Sequence, residues 1–557
     1  MSQPILSIRG LTVDLPKGGD RTHAIRDLSL DINPGEIVCI VGESGSGKSV
    51  TAFSTMALLP RSLPVSAGRI LFEGQDILQL TEAQHAKLRG ARMGMIFQEP
   101  MTALNPCYTV GNQIEEVFEA HSGMSRAERK ARTLALLEEV RMPDPARIHA
   151  SYPHQLSGGQ RQRIVIAMAL AMNPSLLIAD EPTTALDVTT QAQILAMFRE
   201  LRTTRGAGIM LVTHDFDVVA DVADKVVVMQ KGQVVEQGSA DEVLNRPRHP
   251  YTRQLIDAVP RRVADKPERA DTAPLALEVE GLEKTYRVPA TFGRPDRTVH
   301  ALRPASFTLR QGETLGIVGE SGSGKSTLVR AMLRLIEPTA GRILVGGRDI
   351  THVPHEELRL LRRDIQIVFQ DPYGSLNPRR SIGDQLVEGP VNFGVPRAQA
   401  MERARELVRI VRLEEEALNR YPNQFSGGQR QRLCIARALM VEPKILVADE
   451  AVSALDVSVQ KEVLRLLSDI RDRMGLSMLF ITHDLRVAAQ VSDNVIVMSK
   501  GEIVERGPIR QVFEHPTHAY TRQLLAAMPG QGWEVPDLST LPPARPDAPS
   551  TTLATSA

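Results

Sequence analysis

The sequence predicts an α/β protein that contains the same domain twice in tandem. The octapeptide Gly42–Ser49 recurs unchanged as Gly319–Ser326. Each copy follows an apolar run typical of a buried strand, Ile37–Val41 or Thr314–Val318, and precedes a segment of helical character. Farther along each half, continuous Val, Ile and Leu runs alternate with helical segments. That alternation is typical of a parallel sheet covered on both faces.

The repeated octapeptide has the residues that a phosphate-binding loop needs. Its glycines allow backbone N–H groups to turn towards a phosphate, its lysine adds a mobile positive charge, and its serine hydroxyl can coordinate Mg²⁺. One match in a long chain could arise by chance, but two identical matches in matching contexts indicate nucleotide binding. The predicted binding residues are Gly42, Ser44, Gly45, Gly47, Lys48, Ser49 and Val50, and in the second half Gly319, Ser321, Gly322, Gly324, Lys325, Ser326 and Thr327.

The spacing of matched motifs defines the repeat and its boundaries. The offset is 325−48 = 277 between the two loop lysines and 370−98 = 272 between two glutamines, and it stays at 269 for Gly158/Gly427, Glu181/Glu450 and His214/His483. Small steps of this kind indicate homologous domains that differ in loop length. We therefore predict a first domain at 1–260, a charged, proline-containing linker at 261–274, a second domain at 275–530, and a disordered Pro/Ser/Thr-rich tail at 531–557.

Within the first half, a polar, helix-rich region from about Glu99 to Tyr152 interrupts the alternation of strands and helices. It is expected to form a separate subdomain. Strands are expected near 68–72, 175–179, 209–213 and 226–229.

The composition narrows the class of protein. The 557 residues include 66 basic and 66 acidic side chains, so no global field favours nucleic acid. The N-terminus lacks the regions of a signal peptide, and no apolar run approaches the ~20 residues that cross a bilayer. We therefore expect a soluble, cytoplasmic chain. Its three scattered cysteines are interpreted as reduced residues rather than as a disulfide or metal site.

An acidic pair follows an apolar run in each half, Asp180-Glu181 after 176–179 and Asp449-Glu450 after 445–448. A carboxylate at the end of a buried strand beside a phosphate loop can hold Mg²⁺, and the next carboxylate can polarise an attacking water. One such pair taken alone would be a solvated strand end. Its recurrence downstream of both phosphate loops favours the catalytic interpretation.

Each half also has a Ser-Gly-Gly-Gln segment before a helix that begins Arg-Gln-Arg. Its residues are Ser157, Gly158, Gly159 and Gln160, and in the second half Ser426, Gly427, Gly428 and Gln429. A helix start of this kind can bind an anion, although it can also be an ordinary N-cap. One domain needs no second phosphate site unless it serves the nucleotide of a partner domain. The pattern therefore predicts a head-to-tail pairing of the two halves.

The order of these motifs resembles that of ATP-binding cassette (ABC) ATPases. The phosphate loop, a glutamine, the Ser-Gly-Gly-Gln signature, Asp-Glu, an Ala-Leu-Asp tripeptide (185–187 and 454–456) and Thr-His-Asp follow one another in both halves. The resemblance implies, for each P-loop domain, a RecA-like core with an antiparallel β subdomain and a helical subdomain. It also implies two composite ATP sites.

Residue by residue, the resemblance assigns Glu181 and Glu450 as general bases, His214 and His483 as γ-phosphate switches, and Ser49, Gln98 and Asp180, or Ser326, Gln370 and Asp449, as Mg²⁺ ligands. A histidine taken alone is more often a surface or core residue. Each site would be completed by the signature segment of the other half.

Several shorter segments resemble those of the ATPases of oligopeptide, dipeptide and nickel importers. These are the segments 97–106 and 369–378, and the stretches His249-Pro250-Tyr251-Thr252-Arg253 and Tyr520-Thr521-Arg522 after the last strands. The latter also read as ordinary surface helices. The two halves resemble the two ATPase subunit types of those importers, fused in one chain.

The chain departs from the family pattern at several positions. Tyr286 stands where the family stacks adenine on an aromatic ring, but the first half has Leu15 there, which should weaken stacking by about 1 kcal/mol. Ala451 stands where the first half has Pro182. Several ATPases of the importers that this chain resembles carry a cysteine cluster for an iron–sulfur centre near the end of the domain. This chain has no cysteine there, so we expect no iron–sulfur cluster.

The resemblance implies an energy-coupling ATPase subunit, peripheral on the cytoplasmic face of the inner membrane. Its partners would be two transmembrane permease subunits and an extracytoplasmic substrate-binding protein, with no nucleic acid. The alternatives are a soluble double-cassette ATPase acting on ribosomes or nucleic acid, and an exporter, which the glutamine-loop sequences disfavour. Peptide, glutathione, nickel chelate and peptide antibiotic all stay open as the transported solute.

Overall fold

The computed structural model describes residues 3–18, 21–184, 186–260, 272–288, 297–453 and 455–544. These residues form two compact units. The first consists mainly of residues 3–259 and the described C-terminal residues 528–544, and the second mainly of 272–455 and Val459–Ala527. The predicted linker lies largely outside the described residues.

The first unit has ten strands and eleven α-helices among its described residues. The strands are β1 (Leu6–Asp14), β2 (His23–Ile32), β3 (Ile37–Val41), β4 (Val65–Phe72), β5 (Gln75–Asp76), β6 (Met93–Ile96), β7 (Leu176–Asp180), β8 (Gly208–Val212), β9 (Lys225–Gln230) and β10 (Gln233–Ser239). The helices are α1 (Lys48–Thr55), α2 (Glu82–Leu88), α3 (Pro100–Ala103), α4 (Val110–His121), α5 (Arg126–Glu139), α6 (Pro145–His149), α7 (Gly158–Leu170), α8 (Val188–Arg205), α9 (Phe216–Val222), α10 (Ala240–Asn245) and α11 (Pro250–Ala258).

The described part of the second unit repeats this order. Its strands are β11 (Leu275–Val288), β12 (Arg297–Arg310), β13 (Thr314–Val318), β14 (Ala340–Val345), β15 (Arg348–Asp349), β16 (Ile365–Val368), β17 (Ile445–Asp449), β18 (Ser477–Thr482), β19 (Asn494–Ser499) and β20 (Glu502–Pro508). Its helices are α12 (Lys325–Met332), α13 (His355–Leu361), α14 (Pro372–Ser375), α15 (Ile382–Asn392), α16 (Arg397–Ile410), α17 (Gly427–Leu439), α18 (Val457–Met474), α19 (Leu485–Val491), α20 (Ile509–Glu514) and α21 (Ala519–Ala526).

Each unit contains two sheets and a helical insertion, as expected. In the first unit the strand orders are β2-β1-β4-β5, all antiparallel, and β10-β9-β3-β8-β7-β6. The second sheet is parallel from β9 to β6, and β10 joins it as an antiparallel edge. The second unit has the corresponding orders β12-β11-β14-β15 and β16-β17-β18-β13-β19-β20. Helices α3–α6 form the predicted subdomain between β6 and α7.

Strand β3 shows why the apolar runs are continuous. Val38 and Ile40 pack with the antiparallel sheet, whereas Cys39 and Val41 pack with the helices on the other face. Because successive side chains of a strand point to opposite faces, a strand covered on both faces needs an apolar residue at every position. The three cysteines are free, and Cys39 and Cys434 are buried.

The C-terminal residues beyond 530 pack on the first unit, whereas the sequence predicted a disordered tail from 531. Trp533, Val535 and Leu538 contact the apolar cluster on the helical face of the first unit. Trp533 Nε1 donates a hydrogen bond to Asn245 Oδ1 at 3.0 Å, and the N–H of Gly530 donates to Asp221 Oδ1 at 2.9 Å. Residues 545–557 lie outside the described part of the chain.

We expect Trp533→Ala to destabilise the first unit by about 2 kcal/mol, because it removes a half-buried indole and a hydrogen bond. Trp533→Phe, which keeps a six-membered aromatic ring but loses the pyrrole ring and its N–H, should cost less than Trp533→Ala. Urea unfolding followed by circular dichroism measures both. Equal stability of wild type and Trp533→Ala would show that the tail does not hold to this unit in solution.

Candidate functional site

The phosphate loop of each unit links a buried strand to a helix through strained glycine positions. Gly42 has φ +149°, and a Cβ there would lie 2.2 Å from the carbonyl oxygen of Met229. Gly47, at φ +104°, precedes α1, and a Cβ there would lie 2.9 Å from the carbonyl oxygen of Ala24. Only glycine fits such positions. Gly319 and Gly324 have the same conformations, at φ +151° and +104°.

The loop lysines are buried inside their own loops. Lys48 Nζ donates hydrogen bonds to the carbonyl oxygens of Gly42 (2.7 Å) and Glu43 (3.0 Å). Lys325 makes the same bonds to Gly319 and Glu320, at 2.7 and 2.9 Å. Burial lowers the pKa of Lys48, although Glu181 opposes that shift. A loop that curls around its own ammonium group has the shape and charge to accept phosphate oxygens.

A further observation fits a phosphate ligand. The hydroxyl oxygens of Ser46 and Ser323, the fifth residue of each loop, are buried and have no hydrogen-bond partner among the described residues. A buried hydroxyl without a partner is costly. These hydroxyls and the buried loop lysines fit a phosphate ligand.

The acidic pair lies at the end of β7, beside the loop. Ser49 Oγ donates a hydrogen bond to Asp180 Oδ1 at 3.1 Å, so these two predicted Mg²⁺ ligands are adjacent. Hydroxyl and carboxylate oxygens are the ligands that Mg²⁺ prefers. Burial raises the pKa of Asp180 to about 6, and burial also raises that of Asp449.

Glu181 is the centre of a small polar network. Its carboxylate accepts hydrogen bonds from Gln98 Nε2 (3.0 Å) and Thr184 Oγ1 (3.1 Å), and its Oε1 lies 3.4 Å from Nδ1 of His214. Burial opposes its ionisation, but the hydrogen bond and charge of His214 outweigh burial and lower the pKa of Glu181 to about 2. Burial favours neutral His214, but the hydrogen bond and charge of Glu181 outweigh burial and raise the pKa of His214.

The second unit has the corresponding network. Gln370 Nε2 donates to Glu450 Oε2 at 2.8 Å, and His483 Nδ1 lies 3.4 Å from the same oxygen. The pKa of Glu450 is lowered, because His483 outweighs burial. In both units, therefore, the predicted base is an ionised carboxylate in contact with the predicted switch histidine and glutamine.

Both glutamates have a backbone conformation that the sequence did not reveal. Glu181 has φ +47° and Glu450 has φ +48°. A non-glycine residue in this region costs about 1–3 kcal/mol, and such residues cluster at functional sites. The N–H of Glu181 donates to the carbonyl of Val212, and that of Glu450 to Ile481, each at 2.9 Å. These bonds hold the strained residue at the strand end.

The signature segments begin helices α7 and α17, as expected. Ser157 caps its helix through Gln160, with hydrogen bonds of 3.1 and 3.3 Å, and Ser426 does so through Gln429, at 3.0 and 3.4 Å. Ser157 and Gly158 are exposed, and a Cβ on Gly158 or Gly427 would meet nothing within 4 Å. These helix N-termini are therefore open to a ligand.

The predicted adenine contacts differ between the units. Tyr286 lies exposed on β11, with Lys284 Nζ 5.0 Å from its ring centroid. Leu15 instead packs against the apolar core of the first unit. Val50 packs against the same core. Of the two corresponding positions, Leu15 and Tyr286, only Tyr286 in the second unit provides an aromatic face.

Three residues without a predicted role contact the phosphate loops or the predicted base. Tyr251 and Tyr520, in the two His-x-Tyr-Thr-Arg stretches, each contact the phosphate loop of their unit, and Thr184 contacts Glu181. In the sequence, both tyrosines belong to stretches that resemble the oligopeptide, dipeptide and nickel importers, and no role was predicted for them. Their contact with the loop depends on how a distant helix packs, so spacing alone gave no signal.

A phosphate loop, an ionised carboxylate at a strand end and an open Ser-Gly-Gly-Gln helix start, each present once per unit, define an ATPase with two nucleotide-binding cassettes. The ABC transporter family matches residues 25–184 and 302–453, and the oligopeptide/dipeptide transporter C-terminal region matches 235–284 and 504–551. This chain belongs to the ABC transporter family, in its oligopeptide/dipeptide group.

Named relatives match nearly the whole chain. It is 47% identical to the glutathione import ATP-binding protein GsiA of Salmonella paratyphi A, over 95% of this chain and 90% of that protein. It is 46% identical to GsiA of Escherichia coli K12, over 94% of this chain and 89% of that protein. The dimeric structure of the cassette MJ0796 bound to ADP and Pi covers 42% of this chain and 99% of its own, with 30% identity and a TM-score of 0.38.

The chain is therefore an ATP-hydrolysing subunit of an importer-type ABC system. None of these matches supports the ribosome or nucleic-acid alternative. Within the described ranges, no helix combines the length and apolar character that crossing a membrane would require.

Proposed function

We propose that this chain couples ATP hydrolysis to the import of glutathione or a related short peptide through two membrane permease subunits. The observation that carries the proposal is the presence of two glutamine–glutamate networks in one chain of which 95% matches a glutathione import ATPase. The chain itself would be peripheral, on the cytoplasmic face of the inner membrane. An extracytoplasmic binding protein would deliver the solute.

The residues of each unit have defined roles in this reaction. The loop N–H groups and the lysine hold the phosphates, and the glutamate orients and deprotonates the attacking water. Ser49 with Asp180, and Ser326 with Asp449, would hold Mg²⁺, which when bound neutralises charge on the phosphates. Gln98 and His214 contact Glu181, so a nucleotide that attracts them would change the environment of the base.

The import proposal is tested in cells that lack this chain. Uptake of labelled glutathione, a tripeptide and a nickel chelate is measured after complementation with wild type or with the Glu181→Gln, Glu450→Gln variant. Restored glutathione uptake by wild type only supports the proposal. Restored uptake of the tripeptide or the nickel chelate alone would show that the transported solute is not glutathione. A mild-detergent pull-down that recovers ribosomes or DNA and no membrane protein would contradict import altogether.

We further propose that each ATP site is composite and uses the signature segment of the other half. Each unit has both a phosphate loop and a glycine-led helix start that can bind an anion, and one nucleotide needs no second phosphate site within its own cassette. The site of Lys48 would then include Ser426, Gly427 and Gly428. The site of Lys325 would include Ser157, Gly158 and Gly159.

Arginine at a signature serine tests this arrangement. In the Glu181→Gln, Glu450→Gln background, Ser426→Arg should reduce azido-ATP labelling of first-half peptides roughly tenfold or more, because the bulky side chain fills the helix start. Ser157→Arg should do the same to second-half peptides. Labelling lost from the half that carries the mutation would show that the sites are not shared.

A further inference from the structure

A tyrosine hydroxyl contacts the same peptide group of the phosphate loop in both units. The N–H of Glu43, the second residue of the first loop, donates to Tyr251 Oη at 3.0 Å. The N–H of Glu320 donates to Tyr520 Oη at 3.2 Å. The contact has been retained in two halves whose sequences otherwise differ at many positions, so it does not depend on one local arrangement.

The helix that carries the tyrosine is anchored to the edge hairpin. In the first unit, the carboxylate of Glu236 on β10 accepts the N–H groups of Arg248 (2.8 Å) and His249 (3.0 Å). His249 Nδ1 then accepts the N–H of Tyr251 at 3.2 Å, at the start of α11. Tyr251 is only 4% exposed. Its hydroxyl is thus fixed in position by the hairpin and the helix cap.

The second unit repeats this anchor. The carboxylate of Glu505 on β20 accepts the N–H groups of Thr517 (2.6 Å) and His518 (3.1 Å), and His518 Nδ1 accepts the N–H of Tyr520 at 3.2 Å. The glutamates, the histidines and the tyrosines are each separated by the same interval, 505−236 = 518−249 = 520−251 = 269.

The tyrosine and the lysine hold opposite sides of one residue. The N–H of Glu43 is bound by Tyr251, and its carbonyl oxygen accepts from Lys48 Nζ at 3.0 Å. Glu320 is held in the same way by Tyr520 and Lys325, the latter at 2.9 Å. If the lysine turns to a phosphate, it releases that carbonyl. The tyrosine then remains to keep the first turn of the loop in place.

We propose that Tyr251 and Tyr520 are positioning residues that preorganise the two phosphate loops for ATP. Each acts through the backbone of the loop and does not itself touch the nucleotide. A preorganised loop binds its ligand without the cost of ordering the chain. The role rests on ATP binding by the chain and is independent of the proposed cargo and membrane partners.

Tyrosine-to-phenylalanine variants test this role, because phenylalanine keeps the ring and its packing. In the isolated chain, Tyr251→Phe with Tyr520→Phe should raise the KM for ATP about two- to tenfold, the effect of losing one hydrogen bond per site, with kcat within twofold of wild type. The matched control is Tyr108→Phe, which removes the hydroxyl of an exposed tyrosine of the first unit. Its KM should equal that of wild type.

The melting temperature of the nucleotide-free chain separates positioning from general stability. We expect the double variant to melt within about 5 °C of the control, because each substitution removes only one hydrogen bond. A KM within twofold of wild type overturns the proposal, whatever happens to kcat. A raised KM accompanied by a clearly lowered melting temperature also overturns it. Turnover by wild type in the same assay shows separately that the chain hydrolyses ATP.

Discussion

Replacing both Glu181 and Glu450 by glutamine is expected to lower kcat for ATP hydrolysis by about 10²–10⁴-fold, the contribution of a general base. Binding of ATP should persist, because the loop residues are untouched. The variant should therefore accumulate bound ATP that is not hydrolysed. Steady-state phosphate release and the amount of ATP retained after rapid gel filtration measure the two effects.

The geometry explains why glutamine is the informative replacement. Glu181 and Glu450 have φ near +47°, and each N–H is held by a neighbouring strand, so an isosteric side chain preserves the strained backbone. Glutamine can keep the contact with Gln98 or Gln370, but it loses the negative charge that pairs with the histidine. Only the basic carboxylate is removed.

Single variants and a matched control refine the experiment. Glu181→Gln and Glu450→Gln measured separately report whether the two sites turn over equally. Glu73→Gln is the control, because Glu73 also has φ +49° but pairs with Arg92 at the surface. Its kcat should stay within twofold of wild type, since surface pairs contribute little. A double Glu181/Glu450 variant that hydrolyses ATP at the wild-type rate would show that another group is the base.

Much of the fold and the identity of the catalytic groups could be predicted, because both are encoded locally. A buried strand must be apolar at every position, and a phosphate loop must have glycine where a Cβ would collide, as Gly42 does with Met229. Each of these motifs occurs once in each half, at nearly constant spacing. The second occurrence of a motif therefore supports the interpretation of the first.

Other features depend on packing between segments that are distant in sequence. The left-handed φ of Glu181 is stabilised by Val212, and the loop contact of Tyr251 spans 208 residues. The position of Trp533 depends on a hydrogen bond to Asn245, which lies 288 residues earlier in the chain. A proline-rich composition predicted disorder there, because composition does not show that such a docking surface exists.

Replacing Lys48 by alanine is expected to weaken ATP binding at the first site by about 10- to 150-fold, and Lys325→Ala should do the same at the second. This loss corresponds to about 1.5–3 kcal/mol, the contribution of one charge-assisted hydrogen bond to phosphate. Equilibrium binding of a fluorescent ATP analogue to each single variant, with and without Mg²⁺, measures the loss. The double variant should not support import.

The same variants should fold normally, and this distinguishes a binding defect from a structural one. Without nucleotide, Lys48 makes two hydrogen bonds to loop carbonyls while its charge is buried at 5% exposure, so bonding and desolvation oppose each other. We therefore expect the free energy of unfolding to change by less than about 1 kcal/mol. Lys87→Ala, an exposed residue of α2, is the control for both measurements. Unchanged ATP affinity in Lys48→Ala and Lys325→Ala would mean that the backbone N–H groups alone hold the phosphates. A large loss of stability would mean that the lysine mainly stabilises the fold.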